Sequence, residues 1–214
     1  MFKQRILVQL SVKGDVRFVS HHDLMRLLAR AARRAGLPVA QSEGFNPRPR
    51  ISLLLARGVG VASEGELAEI DLSEWVSVGE FARQLSAQLP EGLRVERAEI
   101  AHPNVRRRVT EIGYRVTFRG GPPVSAGDVE RFLALREAPV DRERKKSNGP
   151  REVRRVDVRP LVRTLRVEGD SVEMSLAVTE QGTTRVEEVF QALGVGPDRL
   201  LGDGSVTRTA MRLG

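Results

Sequence analysis

The chain contains no cysteine among its 214 residues. Disulfides, thiolate nucleophiles and cysteine-held zinc or iron–sulfur clusters are therefore excluded within it, which fits a reducing compartment. Aromatic residues are scarce, at 4% with one tryptophan and one tyrosine, so an extended aromatic platform for stacking bases is not expected. Histidine is confined to His21, His22 and His102, no His-x-x-x-His spacing occurs, and the single Glu-x-x-His, Glu99 to His102, lies on a strand-like run far in sequence from the other two histidines; neither a metal site nor a bound cofactor is expected. No apolar run is long enough to cross a bilayer. The opening MFKQRILVQLSV alternates apolar and polar residues and lacks the apolar core of a signal peptide. The expectation is a soluble, cytoplasmic protein without membrane contact.

What the chain does hold is positive charge. Lys+Arg number 35 against 28 Asp+Glu, a formal net charge of +7, and only Lys3, Lys13, Lys145 and Lys146 are lysine. The planar fork of arginine grips phosphate through two parallel hydrogen bonds, so the balance favours a nucleic acid or another polyanion as partner. An arginine-rich proteome from a high-GC genome would give the same composition. A hydrophobic content of 40% is enough for a folded core.

Four segments open with a Ser or Thr followed three residues later by an acid: Ser20 to Asp23, Ser77 to Glu80, Ser125 to Asp128 and Thr184 to Glu187. That spacing lets the hydroxyl and the acid satisfy each other's first-turn amides, and an apolar helical stripe follows each. Strand-like runs lie at 5–12, 51–55, 67–72, 94–100, 114–119, 161–167, 172–179 and 206–211. Each half then reads strand, helix, strand, strand, helix, strand. This order predicts an α+β protein of tandem ferredoxin-like (βαββαβ) halves with antiparallel sheets. The halves are expected at 1–103 and 109–214, divided within 102–110 by a proline and consecutive arginines.

The candidate site residues concentrate between Val19 and Glu66. With Leu24, Leu28, Ala31 and Ala35 as the buried stripe of the first helix, Arg26, Arg30 and Arg33 fall on the opposite face, with Arg34 at its edge. Glutamate is absent from this ridge, so ion pairing along the helix is not expected to neutralise it. His21, His22 and Asp23 stand in the first turn, where the helix dipole favours anions and a neutral imidazole; they are the candidate catalytic groups, although the cap alone explains Asp23. In Ser42-Glu43-Gly44-Phe45-Asn46-Pro47-Arg48-Pro49-Arg50, the prolines stiffen a loop able to hold Arg48 and Arg50 on one side with Asn46 close by. Ser42, Glu64 and Glu66 are candidates for orienting these arginines, the last two in a Ser63-Glu64-Gly65-Glu66 stretch that reads as a turn. A second basic segment, 142–151, has Ser-Asn-Gly-Pro turn chemistry and reads as a hairpin tip whose Arg144, Lys145 and Lys146 can follow a phosphate backbone.

The segments KGDVRFVSHHDLMRLLARAARRAGLPVAQSEGFNPRPRISL, GVGVASEGELAEIDL, LPEGLRV, VDVRPLVRTL and VTRTAM together resemble the radical-SAM-linked proteins. This is a domain of unknown function encoded beside, or fused to, cobalamin-type radical SAM proteins. The resemblance spans nearly the whole chain. It implies a separately encoded radical SAM protein as partner and assigns no reaction to this domain. Lacking clustered cysteines, the chain cannot hold the reducing cluster of such an enzyme.

Three functions fit these residues. The first is a non-catalytic RNA-binding or substrate-recognition module assisting a radical SAM enzyme in RNA or ribosome-associated modification, with His22 and Asn46 near the recognised group. The second is a metal-independent endoribonuclease-like enzyme using His21 or His22, an analogy of fold layout. The third is a scaffold whose arginines dock an acidic protein.

Overall fold

The computed structural model describes residues 2–102, 105, 107–144 and 152–214. They form an α+β protein of mostly antiparallel strands with five α-helices among the described residues. Two units are present, Met1–Val109 together with Arg208–Gly214, and Thr110–Thr207. The last seven residues thus join the first unit, where the sequence places them in the second half.

The first unit runs β1 Gln4–Val12, α1 His21–Arg34, β2 Ile51–Leu53, β3 Ala62–Leu72, α2 Val78–Ser86 and β4 Leu93–Ala101. The strands lie in the order β4-β1-β3-β2, each pair antiparallel. Alternation turns Ile6, Val8, Leu10 and Val12 of β1 to one face, where they pack with Ile70 and Leu72 of β3 under Leu24 and Leu28 of α1 and Phe81 and Leu85 of α2. Removing each such side chain from water contributes about 1.5–3 kcal/mol, so α1 is fixed by its apolar stripe and its arginines are turned outward. Serine caps set both helix starts: the Ser20 hydroxyl accepts from the Asp23 amide at 3.2 Å, and that of Ser77 from the Glu80 amide at 3.3 Å.

The second unit contains most of β5 Val109–Phe118, then α3 Ala126–Ala134, β6 Pro139–Arg144, β7 Glu152–Asp157, β8 Val162–Glu168, β9 Ser171–Ala177, α4 Val186–Ala192, α5 Pro197–Asp203 and the start of β10 Gly204–Leu213. Strand order is β10-β5-β9-β8, with β6 and β7 forming a separate two-stranded antiparallel sheet. Val116 and Phe118, with Val172, Met174 and Leu176, pack against Val129 and Phe132 of α3 and Val189 and Phe190 of α4.

Several elements depart from the sequence expectation. Strands β6 and β7 flank the segment read as a hairpin tip but are absent from the strand-like runs, because Asp141, Arg142, Glu143, Arg154 and Arg155 give no apolar alternation. The hairpin is held instead by buried Val140 and by Arg142, whose guanidinium donates to both Glu188 oxygens at 2.5 and 2.7 Å. The fourth helix is capped at Arg185 and not at Thr184, since Glu188, rather than Glu187, accepts from the Arg185 amide at 2.9 Å. Helix α5 is a short turn with a glycine inside it, too brief to show a helical period. The Ser63–Glu66 stretch is strand, the start of β3, with Ser63 opposite Val12 and Glu66 opposite Leu10. Gly65 lies beside the final strand, where a Cβ would make ordinary contacts with the Thr209 carbonyl oxygen at 3.7 Å and Ala210 Cα at 3.8 Å. Among the described residues no helix is long and apolar enough to cross a membrane.

Candidate functional site

Helix α1 buries Leu24, Leu28, Ala31 and Ala32 and exposes Arg26, Arg30 and Arg33. The ridge is not uniform. Arg26 donates to Asp23 at 3.0 Å, an ion pair three residues apart that the absence of glutamate from the ridge did not anticipate. Arg34 donates to the Gln88 carbonyl at 2.7 Å and fastens the end of α1 to the segment after α2. Arg30 and Arg33 have no hydrogen-bond or ion-pair partner among the described residues. They line a groove of about 390 Å³ shared with Leu37, Val39, Gln41 and Pro49. Gly36, at φ +69°, supplies the left-handed turn that ends α1 and sends the chain back along this groove.

The opposite wall is the neck of a loop. The Ala40 amide donates to the Asp71 carbonyl and the Arg50 amide to the Ala40 carbonyl, each at 2.8 Å, which ties both strands of the neck to the sheet. One step outward, the Ser42 amide donates to the Arg48 carbonyl at 2.8 Å, and the Arg48 amide to the Ser42 hydroxyl at 2.9 Å. Ser42 therefore orients Arg48 through the backbone. Beyond it the tip from Glu43 to Pro47 is exposed, with Phe45 fully in water at 106% relative exposure.

The two loop arginines take different positions. Arg48 is exposed, and its guanidinium has no partner among the described residues. Arg50 donates to Asp71 at 2.8 Å, and Arg5 donates to the same carboxylate at 2.6 Å. Both guanidiniums lie over the Phe2 ring, at 4.9 and 5.2 Å from its centroid. Hydrogen bonding to Asp71, partly offset by burial, pushes Arg5 further up from its ordinary value.

His21 and His22 meet edge to face with centroids 5.5 Å apart. Burial, then the neighbouring charges of His22 and Arg208, hold His21 below the ordinary imidazole range, and its Nδ1 is buried without a hydrogen-bond partner among the described residues. Asp23 accepts from the Ser20 hydroxyl at 2.7 Å and from Arg26 at 3.0 Å, and these bonds hold its carboxyl low. Asp23 thus serves the cap and the ridge, which leaves the two imidazoles without its carboxylate. Among the described residues no group of three or more metal-ligating side chains is assembled.

Glu64 is exposed, and its carbonyl accepts from the Gln9 side-chain amide at 3.5 Å. Glu66 is wholly buried and orients arginines other than those of the loop. Arg208 reaches both its oxygens at 3.3 Å, and Arg57 stands 3.6 Å away. Burial pushes the Glu66 carboxyl up against the opposing pull of Arg208 and Arg57. Arg57 in turn donates to the carbonyls of Arg17 at 2.8 Å, Val19 at 3.4 Å and Val61, clamping the segment that leads into α1. Sequence reasoning passed over both arginines. Their signals were a lone cation in the run LLLARGVGV and an arginine on an alternating strand, VTRTAM. In the second unit, Arg144 pairs with Glu152 in the β6–β7 register, while Lys145 and Lys146 lie outside the described residues.

The matched family model covers the groove, the loop and the histidines. It is DUF2344, described as an uncharacterized protein conserved in bacteria, and it matches residues 5–187. The chain belongs to this family. No curated protein matches the chain.

Proposed function

We propose that this member of the DUF2344 family is a non-catalytic RNA-binding module whose phosphate grip is the groove between α1 and the neck of the 41–49 loop. The observation that carries this reading is the contrast among arginines. Arg5, Arg50, Arg57, Arg142 and Arg208 are each matched by a carboxylate, whereas Arg30 and Arg33 line an open groove with no ion-pair partner among the described residues. Unmatched guanidiniums facing water beside a recess suit a ligand that brings its own negative charge.

The strand order β4-β1-β3-β2 beneath α1 and α2 supports reading the first unit as a ferredoxin-like half. The order β10-β5-β9-β8 with α3 and α4 supports the same reading of the second, with the β6–β7 hairpin inserted. The resemblance to radical-SAM-linked proteins supplies the proposed partner, a separately encoded radical SAM enzyme in the cytoplasm to which the module presents an RNA or ribosome-associated substrate.

The test is RNA affinity as a function of salt for the wild type and for Arg30→Ala/Arg33→Ala. The logarithm of affinity should fall linearly with that of salt concentration, and the double variant should lose about 0.7 of slope per phosphate contact removed. Absent or salt-insensitive RNA binding would refute the proposal. A complex with an acidic protein that resists ribonuclease would replace it with the scaffold reading.

A further inference from the structure

The tip of the loop carries a group that a phosphate grip does not use. Phe45 is completely exposed and has no aromatic or cation–π partner among the described residues. Its presentation is built: the Ser42–Arg48 hydrogen bonds close the loop beneath it, and Pro47 and Pro49 restrict Asn46 and Arg48. Chain order puts an aromatic face at Phe45, an amide that both donates and accepts at Asn46, and at Arg48 a guanidinium without a partner among the described residues. Phe45 is three positions from Ser42 and Arg48 and four from Gln41 and Pro49, no more than about 14 Å of extended chain, and the neck residues Gln41 and Pro49 line the groove with Arg30 and Arg33.

These groups match the parts of one unpaired nucleotide and its neighbours. A base offers a flat π face and a hydrogen-bonding edge, and the adjoining phosphates offer charge. In a duplex the base faces are covered by stacking, which would leave the ring without a ligand. An apolar protein interface would need a contiguous patch, but Phe45 is the sole exposed large hydrophobic residue between 41 and 50. We infer that Phe45 stacks on a single unpaired base with Asn46 at its edge, while Arg48, Arg30 and Arg33 hold the flanking phosphates, so that the module selects single-stranded over duplex RNA. This rests on the RNA-binding reading and adds to it a strand preference and a base-stacking subsite. It also accords with a chain poor in aromatics: one stacked base needs one ring.

The experiment compares binding of a labelled single-stranded RNA of about 12 nucleotides, within the range one small nucleic-acid-binding fold covers, with its duplex, for the wild type, Phe45→Ala, Phe45→Tyr and Arg30→Ala/Arg33→Ala. The wild type should prefer the single strand. Phe45→Ala should weaken single-strand binding about 5- to 150-fold and leave duplex binding unchanged. Phe45→Tyr, which keeps the π face, should restore it, and the double arginine variant should weaken both probes. Because Phe45 buries nothing, its loss leaves the fold intact, which matching thermal melts would verify. Phe45→Ala with undiminished single-strand affinity would overturn the stacking subsite while leaving the arginine groove standing. Failure of the wild type to bind either probe would overturn both readings. Loss of a ribonuclease-resistant protein complex in Phe45→Ala, with RNA affinity unmoved, would assign the ring to a protein partner and overturn the inference.

Discussion

Glu66 and Arg208, 142 residues apart in the chain, meet inside the first unit with side-chain exposures of 0% and 1%. One guanidinium nitrogen lies 3.3 Å from both carboxylate oxygens, and a second donates to the Ala56 carbonyl at 2.7 Å. This contact fastens the final strand to β3 and to the loop that carries Arg57. Removing one member of a buried pair leaves the other charged and dry, which costs about 3–5 kcal/mol. Arg208→Ala should lower unfolding stability by that amount in denaturant titration. A change near zero would mean that Arg57 alone satisfies Glu66.

Glu188 makes stability depend on acid. Burial pushes its carboxyl up, but Arg142, the Arg185 amide and the Thr184 hydroxyl together hold it below the ordinary glutamate value. A carboxyl depressed in the folded state contributes stability that is full above its unfolded value, about 4.3, and is lost as pH falls through the folded one. Glu188→Gln should therefore be about 1.5–3 kcal/mol less stable at neutral pH and should lose less on acidification than the wild type. Parallel pH–stability curves for the two proteins would contradict this.

Ser42 closes the loop with a single hydroxyl. Ser42→Ala removes the bond that the Arg48 amide donates, a net loss of about 1 kcal/mol at an exposed site. Amide hydrogen exchange should quicken at Arg48, and RNA affinity should fall while the melting temperature moves little. Unchanged exchange at Arg48 would show that the neck is held by the sheet contacts alone.

Two glycines should respond to alanine with opposite signs. At Gly92, φ is +84° and a Cβ would stand 2.5 Å from the Lys13 carbonyl oxygen, so Gly92→Ala should cost at least about 1–2 kcal/mol from the left-handed backbone alone. Gly79 lies in α2 with open space around it, and Gly79→Ala should stabilise by up to about 1 kcal/mol. Thermal melts of the two variants decide the matter.

The helices and the central strands were legible because their signals are short-range. Ser125 and Asp128 cap each other across one turn, and the Leu24, Leu28, Ala31 stripe repeats within a few residues, so neither needs the rest of the chain. The outward face of α1 was readable for the same reason. Where reading failed, the cause was a partner distant in sequence. Ser63-Glu64-Gly65-Glu66 has the composition of a turn and becomes strand because Thr209 and Ala210 lie against Gly65 and Arg208 neutralises Glu66. Arg48 and Arg50 alternate identically in sequence, and Asp71, brought alongside by β3, takes Arg50, while Arg48 has no side-chain partner among the described residues. By itself the sequence determined periodicity, caps and the surplus of arginine, since these depend on neighbours along the chain. Which arginines are consumed by carboxylates and which remain open to a ligand was decided by tertiary packing, because ion pairing depends on distances of a few ångströms that only the folded sheet establishes.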